Sequence, residues 1–511
     1  MTSLKKSQHP YLQTAGLIAG GTSLVLAALA YKYPNRPIFS DCRDDILTAD
    51  ALPLLGMTPA IFKHRQTIHD YFASLIDRFD EMTGTGVGIG IPRVILTIDP
   101  RNIDHILRLK FENYIKGPIV DDAAGDLLGH GIFNADGEVW RYQRKAASHI
   151  FNIKNFRDNF TKVFLRNLKS MNTDVIDVAA QTKLPLDLHS AIHKYTLDSF
   201  LELSFGISLE DMTDEDKTKF VTSFDACQRN VIQRILNPAY RVTESLEGWL
   251  MPWKTSMKQH LDIVNKFAFG VVEQRRLELA NGGEYTDLLS RFMGAKNHRD
   301  QSLGDKELRD VVLNFVVAGR DTTAQSISWT LYELFCNPGV KYKLLAEIKE
   351  TITDEMETNA AEMYEAVKGM KYANAVFREA LRLHPPVPAN AKVALQDDVW
   401  PDGTQIKKND YIILTPFGQG KSQDLWGEDA EQFKPERWFT KEGALRSEPP
   451  SKWNIFNAGR QVLGTTVALI TISSLLRRYD FKLAPDQEIT YQVAMTLPMK
   501  NGMKVYVKQR K

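Results

Sequence analysis

Apolar residues recur at helical spacing through most of the chain, as in Phe156–Met171, Leu308–Cys336 and Met363–Leu383. Strand-like runs are short, the clearest being Arg93–Ile98 and Tyr411–Leu414. The pattern predicts a mainly α fold with small β-sheets. From Gly56 to Lys511 there is no internal repeat, low-complexity tract or second linker, so residues 52–511 read as one large unit. Ahead of it Tyr11–Tyr31 is mostly apolar, and as a helix rising about 1.5 Å per residue it is roughly 31 Å long, close to a bilayer's hydrocarbon thickness. Residues 1–33 thus read as a transmembrane anchor flanked by Lys5, Lys6, Lys32 and Arg36. The rival reading is a cleaved signal peptide ending at Ala28-Leu29-Ala30. Pro34 and Pro37 stiffen a linker over residues 34–51.

Composition narrows the function classes. The 511 residues carry 64 Lys+Arg against 63 Asp+Glu, a net charge of +1, so no overall field favours a nucleic acid or an acidic partner, and no nucleic-acid binding is expected. Cys42, Cys227 and Cys336 are an odd number, widely spaced, which suggests neither a disulfide framework nor a zinc site. The glycine run Gly84, Gly86, Gly88, Gly90 superficially suggests a nucleotide loop. A dinucleotide fingerprint, however, has a strand before its glycines and a helix directly after. Here a strand candidate follows the glycines, which are expected to form a flexible connector.

Three further patterns carry candidate chemistry. Leu313–Leu334 is apolar almost all round, as in a helix buried in a large protein, but Ala318, Gly319, Arg320, Asp321, Thr322 and Thr323 cut a polar notch into it. A Thr hydroxyl can take the carbonyl four residues back and open a helix locally, so the plainer reading is a packing kink. Glu379 and Arg382 lie three apart on one helix face and can pair; Leu383, His384, Pro385, Pro386 follow, and Pro435, Glu436, Arg437 come later. Trp140 and Arg144 sit one turn apart, and the plainer reading puts the Trp in the core and the Arg in solvent.

Taken in order, these motifs resemble those of membrane-bound cytochrome P-450 monooxygenases, from about Leu52 to the C-terminus. The resemblance implies a haem cofactor, a lipid substrate and electrons from NADPH-cytochrome P-450 reductase. It implies that Asp321 relays protons and Thr322 hydrogen-bonds in the oxygen-activating groove. Glu379, Arg382 and Arg437 would form a buried structural triad, and Trp140, Arg144 and Lys392 would hold haem propionates. Gly131–Phe151 and Trp426–Trp438 look most like plant and fungal enzymes that hydroxylate the terminal carbon of fatty acids. The resemblance also favours the uncleaved anchor, with the body on the cytosolic face of the endoplasmic reticulum.

One loop departs from the pattern. Phe456, Gly459, Arg460 and Gly464 match the haem loop, but the loop is one residue short, its Pro is missing and Val462 stands where the family has its iron-ligating Cys. No His follows His384 and no Cys follows Cys336. The final helix is also about one turn short. The expected function is hydroxylation of a long-chain fatty acid or similar lipid, and the alternative is a non-catalytic lipid- or haem-binding protein on the same fold.

Overall fold

The computed structural model describes residues 10–38, 40, 50–79, 82–150, 159–207, 212–283, 285, 287–297, 300–456 and 462–510, without the side chains of 10–20, 148–150 and 462–463. Helices dominate, and three small sheets of five, three and two strands lie among them. The mainly α reading with small β-sheets is therefore the architecture found.

The long apolar segment that the sequence treats as one helix is divided into Asp305–Val316, a π turn over Val317–Asp321, and Thr322–Cys336. A π turn lengthens the local hydrogen-bond ring and leaves carbonyls to be taken by side chains. Thr322 Oγ1 donates to the Ala318 carbonyl at 2.7 Å and Thr196 Oγ1 donates to the Arg320 carbonyl at 3.2 Å. Gly319 is needed at the crossing, because a Cβ there would sit 2.0 Å from the Phe200 ring on helix Leu188–Phe205. Small size at one position thus lets two buried helices approach at the notch.

The segment Met363–Leu383, expected as one helix, is two: Ala360–Gly369 and Lys371–Leu383. The break has a cap that lies far away in sequence. The Glu347 carboxylate accepts from the Tyr372 and Ala373 amides at 2.8 and 2.7 Å, satisfying the exposed first turn of the second helix. For Phe156–Met171 the described helix is Thr161–Met171, and residues 151–158 lie outside the described set.

The glycine run is not a flexible connector. It forms the strand Thr83–Gly88, paired antiparallel with Ile91–Thr97 through the turn at Ile89-Gly90, where Gly90 has φ +69°. The reason is close approach: a Cβ on Gly84 would meet the Phe79 ring at 1.9 Å, and one on Gly86 would meet Met57 Sδ at 2.0 Å. The expected strand at Arg93–Ile98 begins two residues earlier, while Tyr411–Leu414 forms as read and pairs with Ile91–Thr97 in parallel. Asn390–Ala394 and then Tyr114–Ile115 complete that five-stranded sheet.

At the N-terminus the helix read over Tyr11–Tyr31 forms as Pro10–Lys32. Among the described residues no helix is long and apolar enough to cross a membrane, so the structure supplies the helix without the span. At the other end, helix Val462–Arg478 is tied along its length. The Tyr195 hydroxyl and Thr471 Oγ1 share a 3.0 Å hydrogen bond, and Arg477 and Arg478 both reach Glu357 at 3.0 Å.

The close packing on the glycine strand gives a direct test. Gly86→Val is expected to destabilise the protein by about 1–3 kcal/mol through overpacking against Met57. Gly339→Ala, in a helix with no atom within 4 Å of the new Cβ, is expected to be neutral or slightly stabilising. Urea unfolding of both variants measures the difference.

Candidate active site

Three groups of residues frame the site. The first lies behind it, on helix Lys371–Leu383, where Glu379 and Arg382 face inward with no exposure. Arg382 Nε and Nη2 donate to Glu379 Oε2 and Oε1, both at 2.8 Å, and Arg437 Nε donates to Oε1 at 2.8 Å. The same carboxylate accepts from Trp438 Nε1 at 2.9 Å and from the Lys434 amide at 2.9 Å. Arg382 spends its remaining donors on the carbonyls of Gly420, Ala430 and Gln432, and Arg437 reaches Asp429. The structure brings Glu379, Arg382 and Arg437 together as one saturated cluster. Burying these charges is tolerable only because each has its partners.

The second group is the π turn. Along a helix that is otherwise buried, Ala318, Thr322 and Thr323 are half-buried, so that side of the turn opens on a space. Asp321 points elsewhere and is buried, 2% exposed. Gln228 Nε2 donates to its Oδ2 at 3.0 Å, Arg320 Nη1 lies 3.3 Å from Oδ1, and the same guanidinium reaches Asp225 at 2.7 Å. Burial pushes the Asp321 carboxyl up to about 6, opposed by the Arg320 charge and reinforced by Asp225. His193 Nδ1 lies 3.9 Å from Asp321 Oδ1, and burial, with His189 and Arg320 adding to it, lowers the imidazole's pKa. These residues border a cavity of about 750 Å³ between helices Leu188–Phe205 and Asp214–Leu236. Asp321 thus lines this polar cavity, one residue before Thr322 in the turn. The motif alone gave no sign of Arg320, Asp225, Gln228 or His193 as its surroundings.

The third group is a cationic edge. Trp140 is half-buried on helix Gly137–Ile150, its ring centroid 5.4 Å from that of Phe111. Lys392, on strand Asn390–Ala394, is 8% exposed and lies 5.5 Å over the Phe111 ring. Arg144 is exposed and makes no hydrogen bond or ion pair among the described residues, so the structure does not draw it into the cluster. Lys116, which no sequence motif flagged, takes part instead. Its Nζ donates to the carbonyls of Ile132, at 3.0 Å, and Ala135, and lies 6.0 Å from the Trp140 ring. Phe456 packs 5.7 Å from Trp453, and the space where a Gly464 Cβ would sit is open. Gly459 and Arg460 lie outside the described residues, as does the side chain of Val462.

A polar-notched buried helix, a saturated charge cluster and a cationic edge are thus what the fold presents, and comparison with known proteins gives the family. The chain belongs to the cytochrome P-450 family, whose profile matches residues 48–503. It is 32% identical to cytochrome P-450 86B1 of Arabidopsis thaliana over 475 residues, covering 89% of this chain and 84% of the relative. It is 31% identical to cytochrome P-450 704B1 of the same plant, covering 90% and 94%. It is 30% identical to cytochrome P-450 monooxygenase cyp1 of Mycosarcoma maydis, covering 94% and 76%. Membership makes the chain a monooxygenase-type oxidoreductase by family, with haem as the family's cofactor.

The residues present fit one part of that cofactor. Lys392, Lys116 and the Trp140 indole supply the donors that a porphyrin's carboxylates need. They do not fit the iron. No Cys or His stands in the loop, and among the described residues no cluster of three metal-ligating side chains occurs.

Two substitutions test this framework. Glu379→Ala is expected to cost about 3–5 kcal/mol, by leaving two guanidinium groups buried beside a hole, seen as loss of the cooperative thermal transition. Asp321→Asn works in the opposite direction. A raised carboxyl pKa means that the folded state holds the proton more tightly than the unfolded chain, so stability is lost as pH climbs from 3.8 to about 6 and stays lost above. Asp321→Asn is therefore expected to stabilise the protein by about 1–3 kcal/mol at pH 7.5 and to leave it unchanged at pH 4, read from urea midpoints at the two pH values.

Proposed function

We propose that this scaffold serves to hydroxylate a long-chain fatty acid or similar lipid, taking electrons from an NADPH-dependent reductase. The observation that carries the reading is the π turn, where the buried Asp321 lines a polar cavity and the next residue, Thr322, is half-buried on the other side. Such a placement suits proton delivery to an oxygen-activating groove. The choice of a lipid rests on the likeness of Gly131–Phe151 and Trp426–Trp438 to fatty-acid hydroxylases. Residues 1–33 would hold the body at the endoplasmic reticulum membrane. The exposed Leu24, Val25 and Leu26 on helix Pro10–Lys32 support that placement, since these apolar side chains have no cover on the protein.

Val462 favours a second reading, a non-catalytic lipid- or haem-binding protein on the same fold. A valine supplies no lone pair to iron, and the electron push that a thiolate gives is lost with the cysteine.

The two readings part on one spectrum. Reduced under carbon monoxide, the chain as written is expected to lack the thiolate-type Soret band. Restoring Pro and Cys between Gly459 and Leu463 is expected to bring that band back, along with turnover of a long-chain fatty acid when reductase and NADPH are supplied. A repaired loop that takes up haem but turns over no lipid would reject the hydroxylase reading. A band from the unrepaired chain would reject the non-catalytic one.

A further inference from the structure

The cationic edge holds more positive charge than the protein neutralises. Lys116 and Lys392 are both largely buried, and Asp136 is the acid that acts on both. Its oxygens are already engaged: the Lys116 amide donates to Oδ1 and Oδ2, each at 3.1 Å, and the Gly117 amide to Oδ2 at 3.4 Å. Burial lowers the Lys392 pKa and brings the Lys116 amine down to about 8, with the Lys392 charge adding to the effect at Lys116. Among the described residues Lys392 Nζ has no hydrogen bond and no ion pair, only the face of Phe111 at 5.5 Å. An ammonium with no partner on the protein is free to meet an anion, and charge-assisted hydrogen bonds of that kind are among the stronger ones. The two aromatic rings next to it, Phe111 and Trp140, offer a flat apolar surface for the body that carries the anion.

The sequence offers a metal no ligand in the loop where the family has one. The haem loop has Val462 at the ligand position, and neither Cys nor His follows His384 anywhere in the chain. We infer that this protein holds a tetrapyrrole through its carboxylates and not through its metal, so that a metal-free porphyrin dicarboxylate binds as tightly as haem. The inference rests on the haem pocket of the family and is independent of whether any lipid is hydroxylated.

Binding is read without any need for turnover, by titrating the purified full-length chain and following tryptophan fluorescence, since Trp140 borders the site. Haemin and protoporphyrin IX are expected to give dissociation constants within about threefold of each other. Protoporphyrin IX dimethyl ester, which has the same ring without the charges, is expected to bind at least about tenfold more weakly, the scale of one charge-assisted hydrogen bond. Lys392→Met is expected to weaken haemin and protoporphyrin IX by the same factor and to leave the ester unchanged. Lys392→Arg, which keeps the charge, is expected to retain binding, and far-ultraviolet dichroism confirms that each variant is folded. Haemin binding more than tenfold tighter than protoporphyrin IX would overturn the inference, because it would reveal a metal ligand. Equal binding of ester and free acid, no porphyrin binding at all, or displacement of protoporphyrin IX by equimolar oleate would overturn it too, the last by making the edge a fatty-acid carboxylate site.

Discussion

The carboxylate of Glu379 is the charge that the proximal half of this protein is built around. It takes five hydrogen bonds, from Arg382 twice, Arg437, Trp438 and the Lys434 amide, and it has no exposure to water. Those donors come from helix Lys371–Leu383 and from residues 434–438, more than fifty positions later, so one acid pins two distant parts of the chain. Through Arg382 the lock extends to the carbonyls of Gly420, Ala430 and Gln432. A cluster like this adds little net stability over a well-packed apolar equivalent. What it fixes is geometry, because each of its bonds has a direction.

Much of this was legible because charged residues in apolar company need partners. Glu379, Arg382 and Arg437 announce themselves by order and spacing, and Thr322 by its position in an apolar helix. What the sequence concealed depends on contacts between distant segments. The break before Lys371 is stabilised by Glu347, on another helix. The glycine strand reads as flexible because glycine is a poor strand former, and only Phe79 and Met57 lying against it explain the choice. Lys116 follows Tyr114–Ile115 in a segment with no periodicity or motif, so only the fold reveals that it faces Trp140.

The site also separates two tasks that a haem enzyme normally joins. The Asp321 turn and the edge formed by Lys116 and Lys392 stand on helices and strands that are fully formed. Ligation of iron depends on a short loop that precedes helix Val462–Arg478. The departure read from the sequence falls there, where Val462 stands at the cysteine position.

The final helix is held by ties that lie away from that loop. Thr471 is bonded to Tyr195, and Arg477 and Arg478 are bonded to Glu357, so the helix position is set from its middle and far end. Strand Tyr479–Leu483 follows directly and pairs with Lys504–Gln509. The anchors named here all lie nine or more residues beyond Val462, so none of them involves the position where the family has its cysteine.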